Sequence, residues 1–321
     1  MSSRNLHLLV LLMLGVGACT PTPTALPTAV PPPVKTVTAA PAMLPTVTAA
    51  PGHTPVPTAT AVPTPLPGVA VVALDQMQAK NPWLPLDMTA RPTVYYYGFN
   101  LRTAPFNQLL VRKAFAAATD RKALADLASR AGAKAVQPAM TFTPAETLGR
   151  DLYGQVGIAF DPTQARQWLS EAGYPNGQDF PQVTLITAKA GGVTSVANVE
   201  LGRSLVDMWQ QNLGITVRLQ IVDGDFEEFR RTLAQGGAYV YRLGNAADSN
   251  DPHAFLAQVF TRSSEWNFGG FENAAFDELV QRAAGLQDPL ARQALYIQAE
   301  RLLTQQEVAI LPVFHYRVKG K

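Results

Sequence analysis

Leu213-Gly214-Ile215-Thr216-Val217-Arg218-Leu219-Gln220-Ile221 is where the chain changes its period. Before it, Val199 to Leu213 sets apolar residues at helical spacing. Gly214 stops that helix, because glycine takes the left-handed C-terminal conformation without a Cβ penalty. After it, Ile215, Val217, Leu219 and Ile221 fall on every second position, the mark of a strand with one apolar side. A helix feeding straight into a strand is the unit from which layered α/β proteins are built.

The same switch recurs on both sides. Upstream, Asp161-Pro162 reads as an N-cap followed by proline at the first helical position. Ala165, Trp168, Leu169 and Ala172 continue that helix, Gly173 ends it, and Val183, Leu185 and Thr187 alternate as a strand. Further back, Leu110, Val111, Ala114, Phe115 and Ala118 give helical spacing within Phe106 to Arg130. Downstream, a helix is expected over Phe226 to Ala234. The acidic group Asp223, Asp225, Glu227 and Glu228 at its start is favoured by the helix dipole. A short strand near Tyr239 to Leu243 follows, then a long helix opened by Asp288-Pro289 and running from Leu290 to Leu303. Val308 to Tyr316 closes as a strand. Trp168 and Trp209 sit on apolar helix faces and are expected in the core.

The N-terminal fifth is of another kind. Arg4 precedes an apolar run from Leu8 to Leu14, too short for the roughly 20 residues a membrane-spanning helix needs. Basic start, short apolar core and small residues before a cut describe a secretory signal. Val16-Gly17-Ala18-Cys19 resembles a lipobox, so residues 1–19 are expected to be a lipoprotein signal with Cys19 as the lipidated new N-terminus. Residues 20–68 are nearly all Pro, Thr, Ala and Val, which blocks helix and sheet propagation and suits an extended spacer. Residues 69–321 are the folded module.

Composition narrows the function. The chain has 321 residues, a formal net charge of +2 and one cysteine. So small a charge, with scattered Lys and Arg, gives no case for a nucleic-acid partner. His7, His53, His253 and His315 are far apart, and no His/Cys pair has metal-ligand spacing. No phosphate-cradling loop, dinucleotide fingerprint, HExxH or GxSxG motif occurs. No cofactor is expected, and no catalytic residue is assigned.

Five stretches, in order, carry a resemblance to one family. Tyr97-Gly98-Phe99-Asn100, then Val111-Arg112-Lys113-Ala114 and Ala118-Thr119-Asp120-Arg121, resemble its "FN…VRQA…AIDR". Asp161-Pro162 through Glu171-Ala172-Gly173-Tyr174-Pro175 resembles its "DP…EAGYP". Leu213 to Val217 resembles "LGI.V", and Asp248 with Asp251-Pro252 resembles "AD..DP". Asn267, Phe271, Asn273, Phe276-Asp277, Arg292, Glu300 and Ile310-Leu311-Pro312 follow its closing segment. The chain thus resembles the extracellular solute-binding proteins of the dipeptide, oligopeptide and nickel class, over nearly all of the folded part.

The resemblance implies an α/β, periplasmic-binding-protein-like (type II) lobe, truncated at the N-terminal lobe, with a remnant of the other lobe. It implies a substrate-binding component of an ABC importer, not an enzyme. The partners implied are a peptide or other small solute, an ABC permease, the membrane through the lipid anchor, and a separate N-terminal lobe. The expected place is the extracytoplasmic face of the cytoplasmic membrane. In relatives, the aspartate aligned with Asp248 holds a ligand ammonium and the arginine aligned with Arg242 meets a carboxylate. Asn245 stands where many relatives have tryptophan, which puts a smaller, more polar wall there. Against these roles stand simpler ones: Asp248 as a helix cap, Arg242 as a surface charge, and Asn100, Arg112 and Asp120 as caps and internal ion pairs. A second reading keeps the chain as a split half without independent binding. On the truncated reading, the closing strand loses its neighbours and shows an open edge, and water screens Arg242 and Asp248.

Overall fold

The computed structural model describes residues 91–133, 135–189, 197–236, 238–247 and 249–316, all within the compact unit Leu66–Lys321. Cys19, residues 1–68 and Asp248 lie outside the described residues.

Thr93–Phe99 forms β1, and every residue of this strand is buried. A run buried on both sides carries no alternation. The strand therefore carries no period-two signal in the sequence. In chain order follow α1 (Leu109–Ala117), α2 (Arg121–Arg130), β2 (Val136–Pro138), α3 (Ala145–Leu148), α4 (Pro162–Glu171), β3 (Val183–Ala188) and α5 (Asn198–Leu213). Then come β4 (Val217–Val222), α6 (Phe226–Ala234), β5 (Val240–Ala246), α7 (Pro252–Phe260), α8 (Ala274–Gly285), α9 (Pro289–Arg301) and β6 (Ile310–Tyr316).

The strands make one six-stranded sheet in the order β2-β6-β1-β5-β3-β4. β3 is parallel to β4 and β5, whereas β1 is antiparallel to β5 and β6. Side chains alternate across the sheet. Tyr95, Tyr97 and Phe99 join the core with Phe115, Leu124, Leu169, Leu205 and Trp209, from α1, α2, α4 and α5. Val94 and Tyr96 join the opposite core with Phe229, Phe255, Phe276 and Tyr296, from α6, α7, α8 and α9. Burying each such side chain contributes roughly 1.5–3 kcal/mol. Trp209 also finds partners for its indole N–H, Phe115 O at 3.1 Å and Thr119 Oγ1 at 3.0 Å.

The closing strand departs from expectation. β6 lies between β1 and β2 with all seven residues buried, so it has no open edge. Apolar side chains on both faces let it sit inside the sheet. Pro312, which cannot donate to a ladder, falls where the β1–β6 register shifts, the kind of place where a sheet tolerates proline. The region Phe106 to Arg130 is two helices, because Asp120 caps α2 by accepting the Ala123 N–H at 3.0 Å. Trp168 is only partly buried, with the Lys113 ammonium 5.8 Å from its ring. The Gly214 break is as expected, at φ 71°. Gly98 is required for another reason: a Cβ there would overlap the Tyr241 ring.

Candidate functional site

The segment singled out for ligand contact begins in β5. Arg242 pairs with Tyr97 and Asn245 with Val94 across the β1–β5 ladder. Tyr97 belongs to one core and Val94 to the other, so Arg242 and Asn245 face opposite sides of the sheet. The segment thus does not bring them together on one wall.

Arg242 is 1% exposed, neither a surface charge nor screened by water. Its guanidinium lies 4.5 Å from the centre of the Tyr95 ring, a desolvated cation–π contact. The Tyr95 and Tyr97 hydroxyls are 3.5 Å apart. Burial raises both phenols above their ordinary range, Arg242 pulling them back, so they stand as neutral hydroxyls. Tyr316 is shifted the same way, with burial first and Arg242 opposing.

The register puts these groups at one end of the sheet. Thr93 pairs with both Ala246 and Tyr316, so β5 finishes where β6 finishes. β3 runs parallel to β5, and Thr187 near its end is fully buried. α5 crosses here, with Gly202 close against Thr187 and Leu219. The helix begins without a side-chain cap, at Ala197 in the left-handed region (φ 57°). Asn198, its first residue, is 1% exposed, and neither side-chain amide atom has a partner. Thr187 Oγ1, Asn245 Nδ2 and the Tyr316 hydroxyl are likewise buried and unbonded. Buried polar atoms left unbonded cost roughly 1–3 kcal/mol each. Several of them lie towards the carboxyl ends of the parallel strands, the end of an α/β sheet where ligands are commonly taken. Asn198 carried no signal in the sequence, since asparagine at a helix start reads as an ordinary cap.

The remaining motif residues turn inward to hold the fold. Arg112 donates to Glu307 O (2.8 and 2.6 Å) and to Phe106 O (2.8 Å). Arg121 donates to Pro312 O at 2.9 Å. Asn100 donates to Ala238 O at 3.1 Å and accepts the Arg102 N–H at 3.1 Å. Asp251, not Asp248, caps α7, accepting the His253 N–H at 2.8 Å. Its carboxylate also receives Arg292 Nη2 at 2.9 and 3.0 Å. A cavity of about 590 Å³ between α7 and α8, lined by His253, Ala257, Asp277 and Val280 among others, holds none of the residues proposed from sequence. Among the described residues, no His/Cys/Asp/Glu group is arranged to hold a metal ion, and no helix is long and apolar enough to cross a membrane.

Solved structures share this architecture. The Escherichia coli murein tripeptide binding protein MppA superposes with a TM-score of 0.61 at 27% identity, over 75% of this chain and 46% of that one. HbpA2 from Haemophilus parasuis superposes at 0.62 and 24% identity, over 71% and 43%, a likeness of fold alone. The described unit is therefore a periplasmic-binding-protein-like α/β lobe. Residues 61–267 match the family described as bacterial extracellular solute-binding proteins, family 5 middle, and the chain belongs to that family. The periplasmic oligopeptide-binding protein OppA of Escherichia coli K12 is 31% identical over 226 residues, 69% of this chain and 39% of its own length. The periplasmic murein peptide-binding protein MppA of the same strain is 30% identical over 227 residues, again 69% of this chain and 40% of its own length. The chain thus spans about two fifths of the length of the curated relatives it matches.

Proposed function

We propose that this protein is the substrate-binding component of an ABC importer for peptides or similar small solutes, a binder and not an enzyme. The observation that carries the reading is Asn198. Its amide is buried with both polar atoms unbonded, at an uncapped helix start, on the sheet end where Arg242 and Tyr316 also converge. That arrangement offers donors to a carboxylate: the Asn198 amide, the Tyr316 hydroxyl, the first-turn N–H groups and the Arg242 charge. Asp248, just beyond β5, supplies the opposite charge for a ligand ammonium. Asn245 faces the other side of β5 and would touch a ligand only around the strand's end. Relatives named for peptides, OppA and MppA among them, agree with a zwitterionic ligand.

Residues 1–19 act as a lipoprotein signal, Cys19 carries the lipid, and residues 20–68 space the lobe from the extracytoplasmic face of the membrane. The permease and a separate N-terminal lobe are the protein partners. Calorimetric titration of the full chain with mixed di- to pentapeptides tests the binding reading, with Asp248→Ala as the control. Saturable heat in the parent and none in the variant supports it; equal heats in both defeat it. Cys19→Ala should move the protein out of the membrane fraction, and retention after a salt wash defeats the anchor.

The second reading, a half without independent binding, is favoured by one fact: relatives are about two and a half times as long as the stretch they share with this chain. No heat with the chain alone, but heat once a complementary lobe is added, would select it.

A further inference from the structure

Trp266, in the loop between α7 and α8, is a large apolar side chain left 36% exposed. The loop is built to hold it there. Asn267 brackets the next turn, its Nδ2 donating to Phe271 O at 2.7 Å and its Oδ1 accepting the Phe271 N–H at 2.9 Å. Ser264 Oγ accepts the Trp266 N–H at 3.1 Å and donates to Gln258 O at 2.6 Å, which ties the loop to α7. The Leu101 N–H donates to Gly269 O at 2.9 Å, which ties it to the chain after β1. A side chain on a backbone fixed in this way loses little further freedom when something binds to it.

Two rings flank the indole. The Phe226 ring, at the start of α6, lies 6.3 Å from it with the planes 20° apart. The Phe268 ring meets it at right angles, also at 6.3 Å, and stands against Tyr241 of β5. Phe226 and Phe268 pack on the core that contains Val94 and Tyr96, on the opposite side of the sheet from Arg242.

The rim of this surface is acidic. Glu227 follows Phe226, Glu265 precedes Trp266, and both side chains are more than half exposed. Asp225 and Glu228 belong to the same first turn of α6. Arg230 lies 3.0 Å from Glu227 and 3.9 Å from Glu265. With Arg230 and the exposed Arg231 both counted, these four carboxylates still leave the surface negative. Aromatic faces and carboxylates favour the same guest, because the face of a ring attracts a cation and an indole does so best. The fold makes such contacts internally, with Lys113 over Trp168 and Arg242 over Tyr95.

We propose that Phe226, Trp266 and Phe268, rimmed by Glu227 and Glu265, form a docking surface for a protein partner that lays an arginine or lysine side chain on the Trp266 ring. A guanidinium fits best, since it stacks flat on an indole while its N–H fork reaches a carboxylate. The rings give the apolar anchor, and the carboxylates select the sign of the charge. Neither Arg242 nor Asp248 takes part, so the inference stands apart from the peptide-binding reading.

The probe that tests it is acetyl-Gly-Arg-Gly-amide, capped so that it offers neither the ammonium nor the carboxylate of a free peptide. It is titrated into the full chain at low salt and followed by proton–nitrogen NMR at the Trp266 indole and the Glu265 amide. Both signals should shift saturably, and the shifts should shrink as salt is added. The counterpart acetyl-Gly-Glu-Gly-amide should give none. In Trp266→Leu, which keeps the apolar bulk, affinity read at the Glu265 amide should fall about fivefold. Glu265→Lys, at an exposed position, should abolish binding, and melting temperatures close to the parent's show that both variants fold. Absence of a saturable shift at Trp266, or unchanged affinity in either variant, overturns the proposal. A chito-oligosaccharide that shifts these signals where the arginine peptide does not would also overturn it, making the rings a sugar platform. Should Trp266→Leu not fold, Glu265→Lys and the glutamate peptide decide.

Discussion

Arg242 and Asn245 are three residues apart on β5 and point to opposite sides of the sheet, one towards Tyr97's core and one towards Val94's. A ligand group that reaches Arg242 is enclosed by α5, whereas Asn245 borders the other layer. On the proposed reading, therefore, the effects of replacing them on binding should add.

Replacing Arg242 tests its burial. Arg242→Ala removes a cation packed on Tyr95 and leaves a cavity. It should lower unfolding free energy by about 2 kcal/mol or more in urea titration, with peptide binding lost. A loss of stability under 0.5 kcal/mol would mean that the side chain is effectively at the surface.

Asn198 should show the reverse pattern. Replacing an unbonded buried amide by an apolar side chain of like size removes a desolvation penalty. Asn198→Leu should leave the melting temperature unchanged or raise it, while weakening peptide binding at least tenfold. Stability and function part in this way where a fold carries a polar group for a ligand's sake. A destabilised variant that binds normally would show that Asn198 serves the fold.

Arg112 should behave as a purely structural residue. Two of its three bonds tie α1 to Glu307 ahead of β6, and the third holds Phe106 O just before α1. Arg112→Met should cost roughly 2–4 kcal/mol, and Arg112→Lys should recover little, because an ammonium cannot reproduce the planar fork. Chemical denaturation of the two variants checks this.

His315 bears on stability with the sign opposite to Glu300, whose carboxyl burial raises to about 7, so that its contribution falls as pH rises from about 4.5. Burial lowers its pKa to about 4, so the unfolded chain takes up a proton there first. Its contribution is complete above about pH 6.5 and is lost as pH falls from there towards 4. Between about pH 4.5 and 6.5 the two slopes oppose each other. His315→Gln should therefore expose a stability that falls steadily from pH 4.5 to 7 in thermal melts. An unaltered pH profile would show that His315 is not buried as a neutral ring.

Much of the fold could be read because its elements carry local punctuation. Asp161, Asp225, Asp251 and Asp288 each cap a helix through the side chain, and Gly214 ends one. What was hidden was non-local. β1 is buried on both faces and shows no period, and the seat of β6 between β1 and β2 depends on pairings more than 170 residues apart in sequence. The candidate site was half legible. Arg242 was singled out by the family resemblance, but its burial beside Tyr95 and the unbonded Asn198 arise only when the chain is folded.

Thr93 and Tyr316 face each other across the β1–β6 ladder. The two outermost residues of the sheet in sequence are thus neighbours in space. A lobe whose chain comes in and goes out at one seam can be grafted into a longer polypeptide without severing any internal connection. The same seam is the natural place to join the two with a short linker and open new termini elsewhere, a circular permutant that should keep both cores.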